Sequence, residues 1–179
     1  MALWRSRDVA IYITSGTATK VSDFDTSGTD YAYVFKNVEF KEPERETGEQ
    51  KLLGATSGNA NSETWEEDPT TAELTGETLF SPKTGDTVDI AELFFTYSVD
   101  LDGNKSFNYA GDPNNVSFFI KFASSADNFT DFVGFIMNDT KLNTLGGVKV
   151  ENDDHATSEL KVTSSANDTI KIKGGTYAA

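Results

Sequence analysis

Three short stretches carry residues whose type and spacing could do chemistry. Glu63, Glu66, Glu67 and Asp68 surround Trp65. Two carboxylates about 5–10 Å apart beside a sugar ring are the apparatus of glycoside hydrolysis. These acids lie in a long polar run with no element to fix such a distance, so they read as a solvated segment without catalysis. Asp100-Leu101-Asp102-Gly103-Asn104 begins like a calcium loop. An EF-hand needs glycine at its sixth position and glutamate at its twelfth, where this chain has Lys105 and Gly111. The stretch reads as a polar turn, with a weak non-EF cation site as the alternative. His155, the only histidine, follows Asp153 and Asp154. Without a second histidine or any cysteine, a transition-metal site cannot be completed there.

No nucleophile elbow, P-loop or dinucleotide fingerprint is present. Glycosylation-type triplets begin at Asn104, Asn115, Asn128, Asn138 and Asn167, as expected by chance in a chain rich in Ser and Thr. Asn115 and Asn128 flank a segment expected to be packed. The expectation is a protein that is not an enzyme and needs no cofactor or metal.

The 179 residues are most simply one domain, 1–179. A chain of this size buries roughly 70% of its unfolded surface, enough for a real core. The thirteen phenylalanines are its natural filling. Net charge is −14 and the pI about 4.3, which argues against a basic face for nucleic acid. An acidic surface instead repels DNA, a property useful in a conduit through which DNA slides. Solubility alone, or adaptation to salt, would favour the same composition. Cysteine is absent, so disulfides and thiol chemistry are excluded. No apolar run is long enough to span a bilayer, and the N-terminal stretch MALWRSRDVAIYI lacks the pattern of a signal peptide.

The elements follow from hydrophobic period. Val9 to Thr14 is β-branched and aromatic, and predicts a strand. Ser15 to Asp30 is polar, and reads as a loop or weak hairpin. Tyr31 to Phe40 alternates and predicts a long strand. Lys41 to Thr71 is a projecting arm or hairpin, and Ala72 to Phe80 a strand interrupted by Gly76, a residue that inside a strand marks a bulge or close approach. Asp86 to Ser98 predicts the one helix, capped by Asp86, with Ile90, Leu93, Phe94 and Tyr97 on its apolar face. Asp100 to Asn115 reads as a turn-rich loop. Val116 to Phe122 and Phe129 to Asn138 predict strands, the second apolar on both faces. A strand of that kind is covered on both sides, and a neighbouring subunit is the expected cover. Val148 to Glu151, Glu159 to Thr163 and Thr169 to Lys173 complete eight or nine strands. The fold class expected is mainly β: two packed antiparallel sheets (sandwich or barrel), one flanking helix and a long projecting loop.

Leu52-Leu53-Gly54, Gly58-Asn59, the acidic run Glu63 to Asp68, then Pro69 and Ala72-Glu73-Leu74-Thr75-Gly76 resemble the segment linking two strands in the major tail proteins (tail tube proteins) of long-tailed bacteriophages. The resemblance covers about residues 30–100, and the polar Ser15–Asp30 departs from it. It implies hexameric rings stacked into a tube, a continuous barrel of inner strands, and a long loop reaching the next ring. It implies a structural virion protein, made in the host cytoplasm and residing in the phage tail, with no membrane partner. Other copies of itself, the tape measure, the tail terminator and the baseplate or tip are its implied partners, and DNA passes the lumen without specific binding. Inter-ring contacts are then expected from Lys41, Glu44, Arg45, Glu46, Glu49, Lys51, Leu52, Leu53, Glu63, Trp65, Glu66 and Glu67. Two rival readings are a β-sandwich module binding carbohydrate or a receptor through Trp65, Tyr109 or Tyr177, and a secretion-system tube protein of the Hcp type.

Overall fold

A computed structural model describes residues 9–24, 35–45, 47–51, 62–66, 69–79, 90–123, 131–150 and 156–174. Its architecture grows from one segment, β8 (Val116–Ala123), in which apolar residues occupy both faces. Val116, Phe118 and Ile120 point one way and Phe119 the other, and all four are fully buried. Such a strand has to lie inside a sheet and be covered twice. Accordingly β8 pairs antiparallel with β1 (Val9–Ser15) on one side and β9 (Phe132–Met137) on the other. With β12 (Thr169–Gly174) they form a four-stranded sheet ordered β1-β8-β9-β12.

The second four-stranded sheet runs β10 (Lys141–Lys149), β11 (Thr157–Ser164), β5 (Ala72–Leu79), β2 (Phe35–Lys41), again antiparallel. Its inward positions, Ala72 and Leu74 on β5 and Leu160 and Val162 on β11, meet Ile11, Ile13, Val116, Phe118, Ile120 and Met137 of the first sheet in one core. Full burial of each large side chain contributes about 1.5–3 kcal/mol. Phe40 of β2 lies against Phe135 of β9, ring centroids 4.8 Å apart. Beside it Lys171 of β12 is paired with Glu42 at 3.3 Å. Gly76 sits where β2 bulges: Lys36 opposes Glu77 and Glu39 opposes Thr75, so two β2 residues face one glycine. One of those two, Asn37, has φ of 55°.

The predicted helix ends earlier than its apolar stripe. Helix α1, Ile90–Phe94 among the described residues, buries Ile90, Ala91 and Phe94. Asn114 accounts for its C-terminal carbonyls, its N–H donating to Phe94 O at 2.6 Å and its Nδ2 to Leu93 O at 3.3 Å. Tyr97, assigned by spacing to the helix, belongs instead to β6 (Tyr97–Val99) and is exposed. It pairs with β7 (Lys105–Phe107) inside the expected loop. The aromatic and β-branched run from Phe95 to Val99 fits a strand as well as a helix, and pairing with β7 decides between them. Asp86 lies outside the described residues. The strand expected from Val148 starts at Lys141 instead, because register shifts between Leu142 and Thr144 and between Gly146 and Lys149 break its alternation.

The cover of the first sheet's outer face is another correction. Where a neighbouring subunit was expected over the second face of β9, Ile136 is buried with Phe119 by this chain's own Ala18 and Phe24. These two flank a short 3-10 turn, Val21–Asp23. A polar knot seats that segment. The Ala18 N–H is shared between Ser117 Oγ and Asn138 Oδ1, each 3.2 Å away, and Ser117 Oγ donates to Gly16 O at 2.7 Å. Ser164 Oγ donates to Asn138 O at 2.7 Å. Asn138 is therefore a buried structural amide.

Gly134 lies on that same crowded face. A Cβ there would come within 2.5 Å of Phe119 Cε2 and 3.1 Å of the Ile120 carbonyl. Gly134→Ala is expected to destabilise the protein by about 1–3 kcal/mol, read as a lower urea midpoint. Ser117→Ala strands the Gly16 carbonyl and weakens the seat of Ala18, a further loss of about 1–3 kcal/mol.

Candidate functional site

Two surfaces distinguish this sandwich: an inserted arm, and a sheet face left largely open among the described residues. The arm has a closed neck. Thr70 N–H donates to Glu44 O and Glu44 N–H donates to Thr70 Oγ1, both at 2.8 Å. The chain leaving β2 and the chain entering β5 are thereby tied side by side. Pro43 and Pro69 stand next to these residues and stiffen both limbs.

Beyond the neck the expected irregular run holds a hairpin. β3 (Thr47–Lys51) pairs antiparallel with β4 (Ser62–Glu66), forming a separate two-stranded sheet. Register places Glu49 opposite Thr64, Gln50 opposite Glu63, Gly48 opposite Trp65 and Thr47 opposite Glu66. Glu63 and Glu66 are thus an odd number of residues apart on a strand, at positions of opposite face.

Of the residues expected to make contacts, Lys41 ends β2, Glu44 closes the neck with Thr70, Arg45 follows it, and Glu49, Lys51, Glu63, Trp65 and Glu66 lie on the hairpin. Glu46, Leu52, Leu53 and Glu67 lie outside the described residues, as do His155 and Tyr177. Tyr109 packs its ring against Phe95, centroids 4.8 Å apart.

The uncovered face belongs to the second sheet. Residues opposite in register share a face. Those pointing away from the core are Lys141, Thr144 and Lys149 on β10, Glu159, Lys161 and Thr163 on β11, Glu73, Thr75 and Glu77 on β5, and Glu39 and Lys41 on β2. Thr157, at the end of β11 and in register with Leu79, is buried. The charges are laid across strands: Lys161 to Glu73 at 2.8 Å and Lys149 to Glu77 at 3.5 Å. Exposed pairs of this kind contribute about 0–1 kcal/mol each, so their effect is on the surface potential more than on stability. Composition gave no sign of this face, because it exists only once the strands are in register.

The Asp100–Asn104 stretch forms the β6–β7 turn. Asp100 Oδ1 accepts from the N–H of Asp102 at 2.9 Å and of Asn104 at 2.8 Å, and Oδ2 accepts from Asn104 Nδ2 at 2.8 Å. Gly103, with φ of 85°, completes the turn. Among the described residues no three His, Cys, Asp or Glu side chains gather as metal ligands. None of the helices there is long and apolar enough to cross a membrane.

No protein-family model matches the chain, and no curated protein matches it. Solved structures do. The cap that terminates the tube of the anti-feeding prophage aligns at TM-score 0.59 and 9% identity, over 97% of this chain and 93% of that one. A sheath–tube complex of PVC, an extracellular contractile injection system, aligns at 0.54 and 12%, over 92% and 88%. The sheath/tube terminator of the PVC system aligns at 0.54 and 13%, over 91% and 93%. At these identities the likeness is one of fold.

Two outcomes check the geometry. The Asp100 carboxyl is held below the ordinary carboxylate range, first by the Asn104 side-chain amide and then by the backbone N–H groups of the turn. A lowered folded pKa means that the carboxylate supports the turn above the unfolded value of about 3.9 and releases it only as pH falls through the lower folded value. A side-chain NMR titration should find Asp100 still ionised where an ordinary Asp is half protonated. At the neck, Thr70→Val removes one of the two closing bonds, a loss of about 0.5–1.5 kcal/mol. Amide hydrogen exchange at Glu44 should accelerate accordingly, with the core strands unchanged.

Proposed function

We propose that this chain is a structural subunit of the tube of a phage-tail-like particle, built from stacked hexameric rings, with no catalytic role. The observation that carries the reading is the sandwich shared, over at least 91% of this chain, with a tube-terminating cap, a sheath–tube complex and a sheath/tube terminator. The arm supports it independently. A hairpin joined to the core through a closed neck offers strand edges to something beyond its own domain. A ring formed by a repeated heterologous contact also removes the free sheet edges that a lone sandwich exposes.

On this reading the partners are other copies of the chain, the proteins at either end of the tube, and any sheath around it. The particle is the site of residence, and the lumen is the conduit, for DNA in a phage tail. The arm residues Lys41 to Thr71 make the ring-to-ring contact. A second reading, the terminating cap, is favoured by the higher TM-score of the anti-feeding prophage cap. The two differ in one observable: a tube subunit stacks without limit, whereas a cap stops at a ring.

Negative-stain imaging of the purified protein across concentration should show tubes that lengthen with concentration. Single rings at every concentration favour the cap, and monomers at every concentration remove both readings. Deleting Gly54 to Asp68 spares the neck, so the subunit should keep its thermal transition and lose tube formation. Normal tubes from that variant would show that the arm is not the connector.

A further inference from the structure

We infer that the outer face of the second sheet lines the conduit, and that this wall, in a chain of strongly negative charge, is not acidic. The inference rests on the tube reading and deepens it by assigning the inner surface. The sandwich has two outer faces of opposite character. That of the first sheet is apolar, with Phe119 and Ile136 buried beneath Ala18 and Phe24, and with Phe132, Ile170 and Ile172 half-covered beside them. That of the second is polar at nearly every register position and, among the described residues, is open except at Thr157. A water-filled channel requires the second kind of wall.

The charge on that wall follows from register. Among the residues whose side chains are described, lysines occupy positions 41, 141, 149 and 161, and glutamates 39, 73, 77 and 159. Four lysines against four glutamates give a formal charge of zero, whereas the whole chain carries −14. The negative excess therefore lies off this face, in segments such as the arm. Screening confines each charge to about 8–10 Å at ordinary salt, so only acids within that distance contribute at the wall. Lys161–Glu73 and Lys149–Glu77 pair the signs locally, so a polymer moving past is neither held nor repelled by a field of one sign. The overall acidity points to a repelling lumen, and the register places a balanced one there instead.

The absence of cysteine allows a clean test. Thr75→Cys puts a single thiol in the middle of this face. In assembled tubes it should react with a small neutral maleimide and be protected, by about tenfold or more, from a maleimide carried on a large polymer. Reaction with both reagents puts the face outside the tube, and reaction with neither puts it inside an interface; either overturns the assignment. Small anionic and small cationic maleimides then report the wall's sign at low salt. Their rate ratio should stay within about threefold of that in the unassembled arm-deleted subunit. A field of one sign would change it by about tenfold or more, and slowing of the anionic reagent by that much would overturn the claim of a non-acidic wall. Failure of the wild-type protein to form tubes would sink the tube reading and this inference together. Tubes with wrongly placed or wrongly charged Thr75→Cys sites would sink the inference alone.

Discussion

The double burial of β8 is the constraint from which the rest of the molecule follows. Phe118 and Ile120 require a second sheet on one side, and Phe119 requires a cover on the other. The chain meets the first demand with the β10-β11-β5-β2 sheet and the second with the segment around Ala18 and Phe24. Ser117, on the same side of β8 as Phe119, supplies the polar seat for that segment. Packing and hydrogen bonding thus fix the same cover twice. With the first sheet enclosed in this way, the second is left to face water with its outer surface.

Much of this architecture was legible in the residues, and the exceptions have physical causes. β1, β5, β8 and β12 alternate cleanly, and their bounds agree with the pattern to within about two residues. Gly76 marked a bulge, though the extra residue lies in the partner strand β2. β10 was half-hidden because its two register shifts displace the inward residues Leu142 and Leu145 from a period of two. β6 and β7 were hidden because each is only three residues long and largely exposed. Tyr97 misled because it falls seven residues after Ile90, on a helical stripe and on an odd strand position alike.

The candidate site divides in the same way. The arm was visible as a polar stretch between two strands, but its hairpin was not, since Thr47–Lys51 has no apolar alternation to announce a strand. The neck was invisible too: Glu44 and Thr70 are ordinary residues until the fold brings them together. The balance of charge on the second sheet depends on four strands, drawn from distant parts of the chain, meeting in one register. Net charge, a sum over all residues, carries no information about such a distribution.

The reciprocal bonds between Glu44 and Thr70 also make residues 45–69 a natural grafting point. Because both stems are already pinned, a segment of different length can replace the native one at a closure cost that grows only with the logarithm of its length, about 0.6 kcal/mol per doubling. The sandwich on the near side of the junction would not register the exchange. A scaffold of this kind can diverge in its reach while its interior stays constant. It also gives an engineer a place to splice foreign peptides.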